Sequence, residues 1–264
     1  MDTGTDKLRV EVDGGIGLLT FDDPATRNSL SAEVRAALPA ALDALGGDDG
    51  VRVVVVTGAG GKAFVSGANI AEFAEQRTTP GARRAYDGAA AAAGTAWANL
   101  DKPIIAMIRG YCIGGGLITA LQADIRIASD DSRFGIPAAR LGLGYGMGGV
   151  QALLEVVGPA QAAEMLFSAR RLTAAEALQA GLVNRVVPAA DLEGKVMALA
   201  QDIAANAPLT VRACKAALRE ARRDPGKRDL ARVAELVEAC FRSDDYQEGQ
   251  RAFLEKRTPR FTGR

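Results

Sequence analysis

Hydrophobic positions follow two rhythms along the chain, and the switch from one to the other predicts its architecture. Residues 7–21 predict two short strands around the turn signal Asp13-Gly14-Gly15. Ser31 then precedes Val34, Leu38, Leu42 and Leu45, which share one face at helical spacing, so Ser31 is expected to cap an amphipathic helix. The run VRVVVVT (51–57) is apolar throughout, the pattern of a strand buried on both faces of a sheet. An alanine-rich stretch over 82–98 predicts a helix that Gly88 and Gly94 weaken. A strand over 104–108, a helix near 116–122 and a strand over 124–128 come next. The glycine-laden loop GIPAARLGLGYGMGG (135–149) leads into helical segments around 149–180, and 183–187 predicts another strand. From Asp191 onward helix follows helix, broken at Pro208, Pro225-Gly226 and Ser243-Asp244. Strands interleaved with helices, then helices alone, describe an α/β core with a helical tail.

Composition narrows the class. At 264 residues and 48% hydrophobic content the chain can bury the core of one large domain, or of one with an appendage. Thirty-two basic and thirty-two acidic residues cancel, and no cationic tract argues for nucleic acid or an anionic membrane. The longest apolar runs fall short of a membrane span. The opening MDTGTDKLRV lacks the cationic start and apolar core of a secretory signal. Cys112, Cys214 and Cys240 are odd in number and far apart, which fits a reducing cytoplasm. Histidine is absent, which removes a Ser-His-Asp triad, a histidine base and histidine-ligated zinc together. Chemistry must come from backbone amides, carboxylates, hydroxyls, lysine or arginine.

Two glycine segments stand out. FVSGANI (64–70) and GYCIGGGLI (110–118) each follow a strand and offer unhindered N–H groups at a turn. Two amides converging on one carbonyl oxygen would make an oxyanion hole; two tight turns packing a helix on a sheet would show the same residues. Gly58-Ala59-Gly60 with Ala63 matches a dinucleotide fingerprint, but the apolar, extended Ala63-Phe64-Val65 stands where a helix should open.

In their order, PATRNSLS (24–31), VRVVVVTGAGGKAFVSGANI (51–70), KPIIAMIRGYCIGGG (102–116), ADIRIAS (123–129), FGIPAARLGL (134–143), AGLVNRVVP (180–188) and the tail DDYQEGQRAFLEKRTPRF (244–261) resemble the crotonase, or enoyl-CoA hydratase/isomerase, family. The resemblance runs from about Leu18 to Phe261. It implies an α/β, crotonase-like ββα spiral over 1–190 that binds acyl-CoA, and a C-terminal helical region over 191–264 that trimerises. It also implies a homotrimer or dimer of trimers, with coenzyme A entering as part of a thioester substrate and no separate cofactor. The oxyanion amides would be those of Ala68 and Gly115. Gly67, Asn69, Ile70, Gly114 and Gly116 would surround the bound carbonyl. Arg27 resembles a basic residue near the CoA phosphates, or is a solvated loop arginine. Lys256 and Phe261 resemble tail residues that reach the nucleotide end, often in a neighbouring subunit.

The chain departs from the family's hydratases at two positions. Their paired glutamates lie two residues beyond the triple glycine and directly after the proline of F-G-x-P; here Ile118 and, after Pro137, Ala138 stand there. With Leu117, Ala139, Leu143 and Met147 these suggest an apolar acyl pocket. Tyr145, in LGLGYG, resembles a tyrosine of the family's decarboxylases, although their glutamate and histidine are replaced by Ile118 and Ala68; it is equally readable as a packing aromatic. Three readings follow: a lyase, isomerase or decarboxylase working through the oxyanion hole; a hydratase recruiting Asp130, Asp131 or Glu72; and an acyl-CoA binder without catalysis.

Overall fold

The computed structural model describes residues 3–69, 72 and 79–264. Strands β1 (Leu8–Asp13) and β2 (Ile16–Phe21) form an antiparallel hairpin across Gly14-Gly15. Helix α1 (Ala32–Gly47) begins as expected: Ser31 Oγ accepts from Val34 N, and Val34, Leu38, Leu42 and Leu45 are its buried face. Three successive units then each lay one strand in a long sheet and one in a short sheet before a helix. They are β3 (Val53–Gly58), β4 (Ala63–Val65) and α2 (Pro80–Asn99); β5 (Ile104–Ile108), β6 (Tyr111–Ile113) and α3 (Gly115–Leu121); and β7 (Ile125–Ser129), β8 (Arg133–Gly135) and α4 (Met147–Ser168). The repeat is the ββα spiral of a crotonase-like α/β fold. β9 (Leu172–Thr173), α5 (Ala174–Gln179) and β10 (Arg185–Val187) follow, then helices α6 (Leu192–Ala204), α7 (Pro208–Ala221), α8 (Leu230–Arg242) and α9 (Asp244–Glu255).

The long sheet runs β1-β2-β3-β5-β7-β10 and the short one β4-β6-β8-β9. Apart from the hairpin and the β8–β9 pair, all pairings are parallel. β3 shows why its sequence is apolar without alternation. Val54 and Val56 pack into a cluster with α1, α2 and α4, while Val53 and Val55 pack on the opposite face with Leu192, Val196 and Ala200 of α6. The first helix beyond Asp191 therefore covers the sheet.

The loop expected over 135–149 is more ordered than its glycines suggest. Pro137–Leu141 form a 3-10 helix, which proline favours at its start, and α4 opens at Met147, inside the expected loop. α4 kinks at Gly158, whose φ of 74° and ψ of 170° are not helical, just before Pro159. Among the described residues no helix is long and apolar enough to cross a membrane.

The tail motif is a clasp. Asp245 accepts from Thr262 N and Gly263 N, and Glu248 accepts from Arg260 N and from Arg257 on both carboxylate oxygens. Hydrogen bonds from Arg257 hold the Glu248 carboxyl far below the usual carboxylate range, with Arg251 and the Arg260 amide adding to them. Lys215, only 5% exposed, donates to Asp124 and to Lys102 O, tying α7 to the residues that precede β7 and β5. Burial depresses its ammonium to about 8 despite that carboxylate.

Candidate active site

Both glycine segments leave the short sheet on the same side. β4 runs into Ser66-Gly67-Ala68 and β6 into Gly114-Gly115-Gly116, and the two strands are parallel neighbours. Gly67 has φ 103°, and a Cβ on it would stand 2.9 Å from Ile113 O and 3.6 Å from Gly115 N. No residue with a side chain fits that conformation and that approach. At Gly116 a Cβ would fall 2.0 Å from Val65 O, so α3 reaches the sheet only without one. Gly114 caps α3 with φ 56°. A Cβ on Gly115 would lie 3.8 Å from Ala68 N and 3.9 Å from Gly67 Cα. The Ala68 and Gly115 amides thus border one gap. Among the described residues neither nitrogen donates a hydrogen bond.

The N-terminal loop supplies the third wall. Asn28, 1% exposed, takes the left-handed region at φ 57°. It donates from Nδ2 to Ala59 O and Ala63 O and accepts at Oδ1 from Asp23 N. Leu30 N donates to Gly67 O at 2.8 Å, Leu30 bridges Ala68 in parallel register, and its Cδ1 is 3.1 Å from where a Gly115 Cβ would be. Ser66 N donates to Arg27 O.

The residues expected to form an apolar acyl pocket pack on the core. Ile118 and Leu143 are half-buried and Ala138 is buried, all three against the same core cluster. Gly114 N donates to Gly135 O, and Leu143 N to Ala138 O, which holds Pro137 and Ala138 beside the α3 turn. The three other residues expected in an apolar pocket differ widely in exposure. Leu117 is completely buried in the core, being roughly 100° around α3 from Ile118. Ala139 is exposed on the 3-10 helix, and Met147 is 78% exposed at the start of α4.

Tyr145 packs half-buried against the core, its ring over Gly149. Its hydroxyl bonds to no other described residue. Burial, with Tyr86 nearby, raises its pKa beyond that of free tyrosine, so the phenol stays protonated and can donate as well as accept a hydrogen bond. The carboxylates considered as substitutes are occupied. Asp130 Oδ1 accepts from Ala189 N, Asp131 Oδ1 accepts from Ser129 Oγ, and Glu72 accepts from Ala32 N and Asn69 Nδ2. The Asn69 side chain thus donates to Glu72. Ile70 lies outside the described residues.

Arg27 is exposed at φ 58°, its guanidinium 5.8 Å from the Tyr111 ring centre. Arg171 reaches the same ring at 5.5 Å. Neither arginine has an ion pair among the described residues. Sequence reasoning missed both Tyr111 and Arg171, because only the register of β6, β8 and β9 unites them. The string RGY before the triple glycine was the one visible signal. Lys256 and Phe261 are not brought to this site by their own chain. Lys256 ends α9 at φ 54°, and Phe261 O accepts from Arg52, which precedes β3 at the N-terminal end of that strand. A cavity of about 700 Å³ opens at that end of the strands, among Asp43, Asp101, Arg212 and Arg264, and no glycine-loop residue lines it.

A ββα spiral with two glycine turns presenting free amides defines the class of protein. Residues 11–264 match the profile of the enoyl-CoA hydratase/isomerase family. The chain is 35% identical over 248 residues to the short-chain-enoyl-CoA hydratase of Clostridium acetobutylicum, covering 94% of each. It is 37% identical over 253 residues to the 2,3-dehydroadipyl-CoA hydratase of Escherichia coli, covering 94% of this chain and 95% of that one. A crystal structure of an enoyl-CoA hydratase/carnithine racemase from Magnetospirillum magneticum superposes with a TM-score of 0.92 at 34% identity, over 98% of this chain and 97% of that one. The chain belongs to the enoyl-CoA hydratase/isomerase family.

Proposed function

We propose that this chain processes a coenzyme A thioester by stabilising its enolate between the Ala68 and Gly115 amides, and not by two-glutamate hydration. The single observation that carries the reading is that the undonated Ala68 and Gly115 N–H groups border one gap, in a chain that has Ile118 and Ala138 where the family's hydratases have their glutamates. A thioester oxygen there gains most from the amides when it carries negative charge, so the enolate is favoured over the ground state. Addition of water to a double bond needs an acid and a base, each contributing about 10²–10⁴-fold. Ile118 and Ala138 supply neither.

Loss of CO₂ from a malonyl-type thioester suits this lining better. The carboxylate departs as CO₂ and leaves its electron pair on the α-carbon; no base is required. The Tyr145 hydroxyl, protonated and without a partner, favours this second, narrower reading, because it can return a proton toward the enolate. The experiment compares crotonyl-CoA, followed by loss of conjugated-thioester absorbance, with methylmalonyl-CoA, followed by CO₂ release. We expect little hydration and measurable decarboxylation. Hydration within the ordinary enzymatic range of about 1–10³ s⁻¹ overturns the reading, and tight binding with no turnover of any thioester leaves a binder without catalysis.

Arg27 and Arg171 then take the phosphates of the nucleotide end, held ready by their shared stacking on Tyr111. Replacing either by alanine should weaken binding of an acyl-CoA by about fivefold, roughly 1 kcal/mol for an exposed pair, with more loss at low salt. The acyl-pantetheine, which lacks those phosphates, should bind the variants and the wild type alike. Equal loss for both ligands would place the arginines elsewhere in the mechanism. The same reading assembles the chain as a homotrimer or dimer of trimers in the cytoplasm. Lys256 and Phe261 of one copy serve the nucleotide end in the next, and no cofactor is needed beyond the substrate's own CoA. Phe253 and Leu254, 84% and 80% exposed on α9, support such an assembly.

A further inference from the structure

We propose that Arg35 and Glu72 are positioning residues, a charged clamp that sets the Ala68 amide at its angle to Gly115; the proposal rests on the thioester reading above. Arg35 breaks a local rule. It is a cation in the first turn of α1, where the helix dipole disfavours positive charge, and it is only 6% exposed. A buried guanidinium persists only when its donors are matched. Arg35 donates to Leu30 O, its Nη2 lies 3.9 Å from Glu72 Oε2, and its plane stands 4.3 Å from the Tyr86 ring of α2.

Glu72 closes the other half. Its Oε2 accepts from Ala32 N at 2.9 Å, an amide at the α1 start that has no intrahelical partner. Its Oε1 accepts from Asn69 Nδ2 at 2.9 Å, while Glu72 N donates to Asn69 O. The residue after Ala68 is thereby fastened to the residue before Glu33. Between the two fastenings run Leu30 N to Gly67 O and the Leu30–Ala68 bridge. Both ends of the Leu30 peptide are held, its N–H by the glycine turn and its carbonyl by Arg35. Leu30 is also the residue whose methyl abuts Gly115. The clamp thus touches neither amide, yet fixes the segment that carries one of them against the residue that borders the other.

The test compares affinities for butyryl-CoA and S-butyl-CoA, which differ by the carbonyl oxygen alone. The wild type should prefer the thioester by about tenfold, a fair share of what two well-placed donors give an oxygen. Glu72→Ala and Arg35→Met should bring the ratio close to one while leaving S-butyl-CoA affinity within about twofold, an outcome that general loosening of the fold would not give. Glu72→Gln, which keeps the shape and one acceptor, should fall between and guards against misfolding of the others; circular dichroism checks each. No preference in the wild type removes the amide pair, and this clamp with it. A wild-type preference that survives undiminished in folded Glu72→Ala or Glu72→Gln overturns the clamp alone.

Discussion

Gly115→Pro should cut thioester turnover by about 10²–10³-fold, the effect of losing one oxyanion donor, in a protein that remains folded. The position allows an unusually clean deletion. Gly115 is the first residue of α3, where proline is favoured and where the N–H has no intrahelical acceptor to lose. The nearest atom to a new Cβ is Leu30 Cδ1 at 3.1 Å, a side-chain end that can give by a few tenths of an ångström. One hydrogen-bond donor disappears, about 3–4 kcal/mol of preference for an oxyanion, and the ring Cδ takes the place of its hydrogen at the gap. Its neighbour makes the contrast. A Cβ at Gly116 would collide with Val65 O at 2.0 Å, so Gly116→Ala should damage the junction of α3 with β4 itself. Initial rates and thermal melts measured together separate the two variants. Turnover of Gly115→Pro within threefold of wild type would mean that the Gly115 amide is not a donor in the reaction.

The long elements were legible in the sequence because their own periodicity determines them. β3 and β5 are buried on both faces and read as unbroken apolar runs, and α1 carries its cap and its stripe. The short sheet was not legible. β6, β8 and β9 have three, three and two residues, too few for alternation to show, and they are defined by the neighbouring strands that pair with them. That sheet is the one that carries the glycine turns, so Tyr111 and Arg171 could not be joined from sequence alone. Charge pairing was hidden for the same reason: Lys215 and Asp124 meet across 91 positions. The tail shows the converse. Its distinctive string marks the family, yet most of its charged side chains hold the tail to α9, and the string carries no separate sign of which residue would meet a ligand.

Restoring carboxylates should create the activity that the lining withholds. With Ile118→Glu and Ala138→Glu together, hydration of crotonyl-CoA should rise at least a hundredfold from its baseline, since a placed acid or base contributes about 10²–10⁴-fold. The two positions suit a shared task. Ile118 is one helical turn into α3, its N–H donating to Gly114 O, and Ala138 sits in the 3-10 helix that the Gly114–Gly135 hydrogen bond ties to that turn. Each glutamate would enter apolar surroundings, which raises its pKa and keeps one of the pair protonated near neutrality, as an acid–base couple needs. Ala138 is 7% exposed, so its larger replacement costs about 1–3 kcal/mol of stability through overpacking, and a lower melting temperature is expected alongside the gain. The single variants should each gain far less than the pair, because one carboxylate cannot both activate the water and protonate the α-carbon in a single step. Absorbance loss of crotonyl-CoA measures all three proteins. A folded double variant with no gain would show that the space between Ile118 and Ala138 no longer admits a water beside the thioester, and that the pocket's shape has diverged along with its charges.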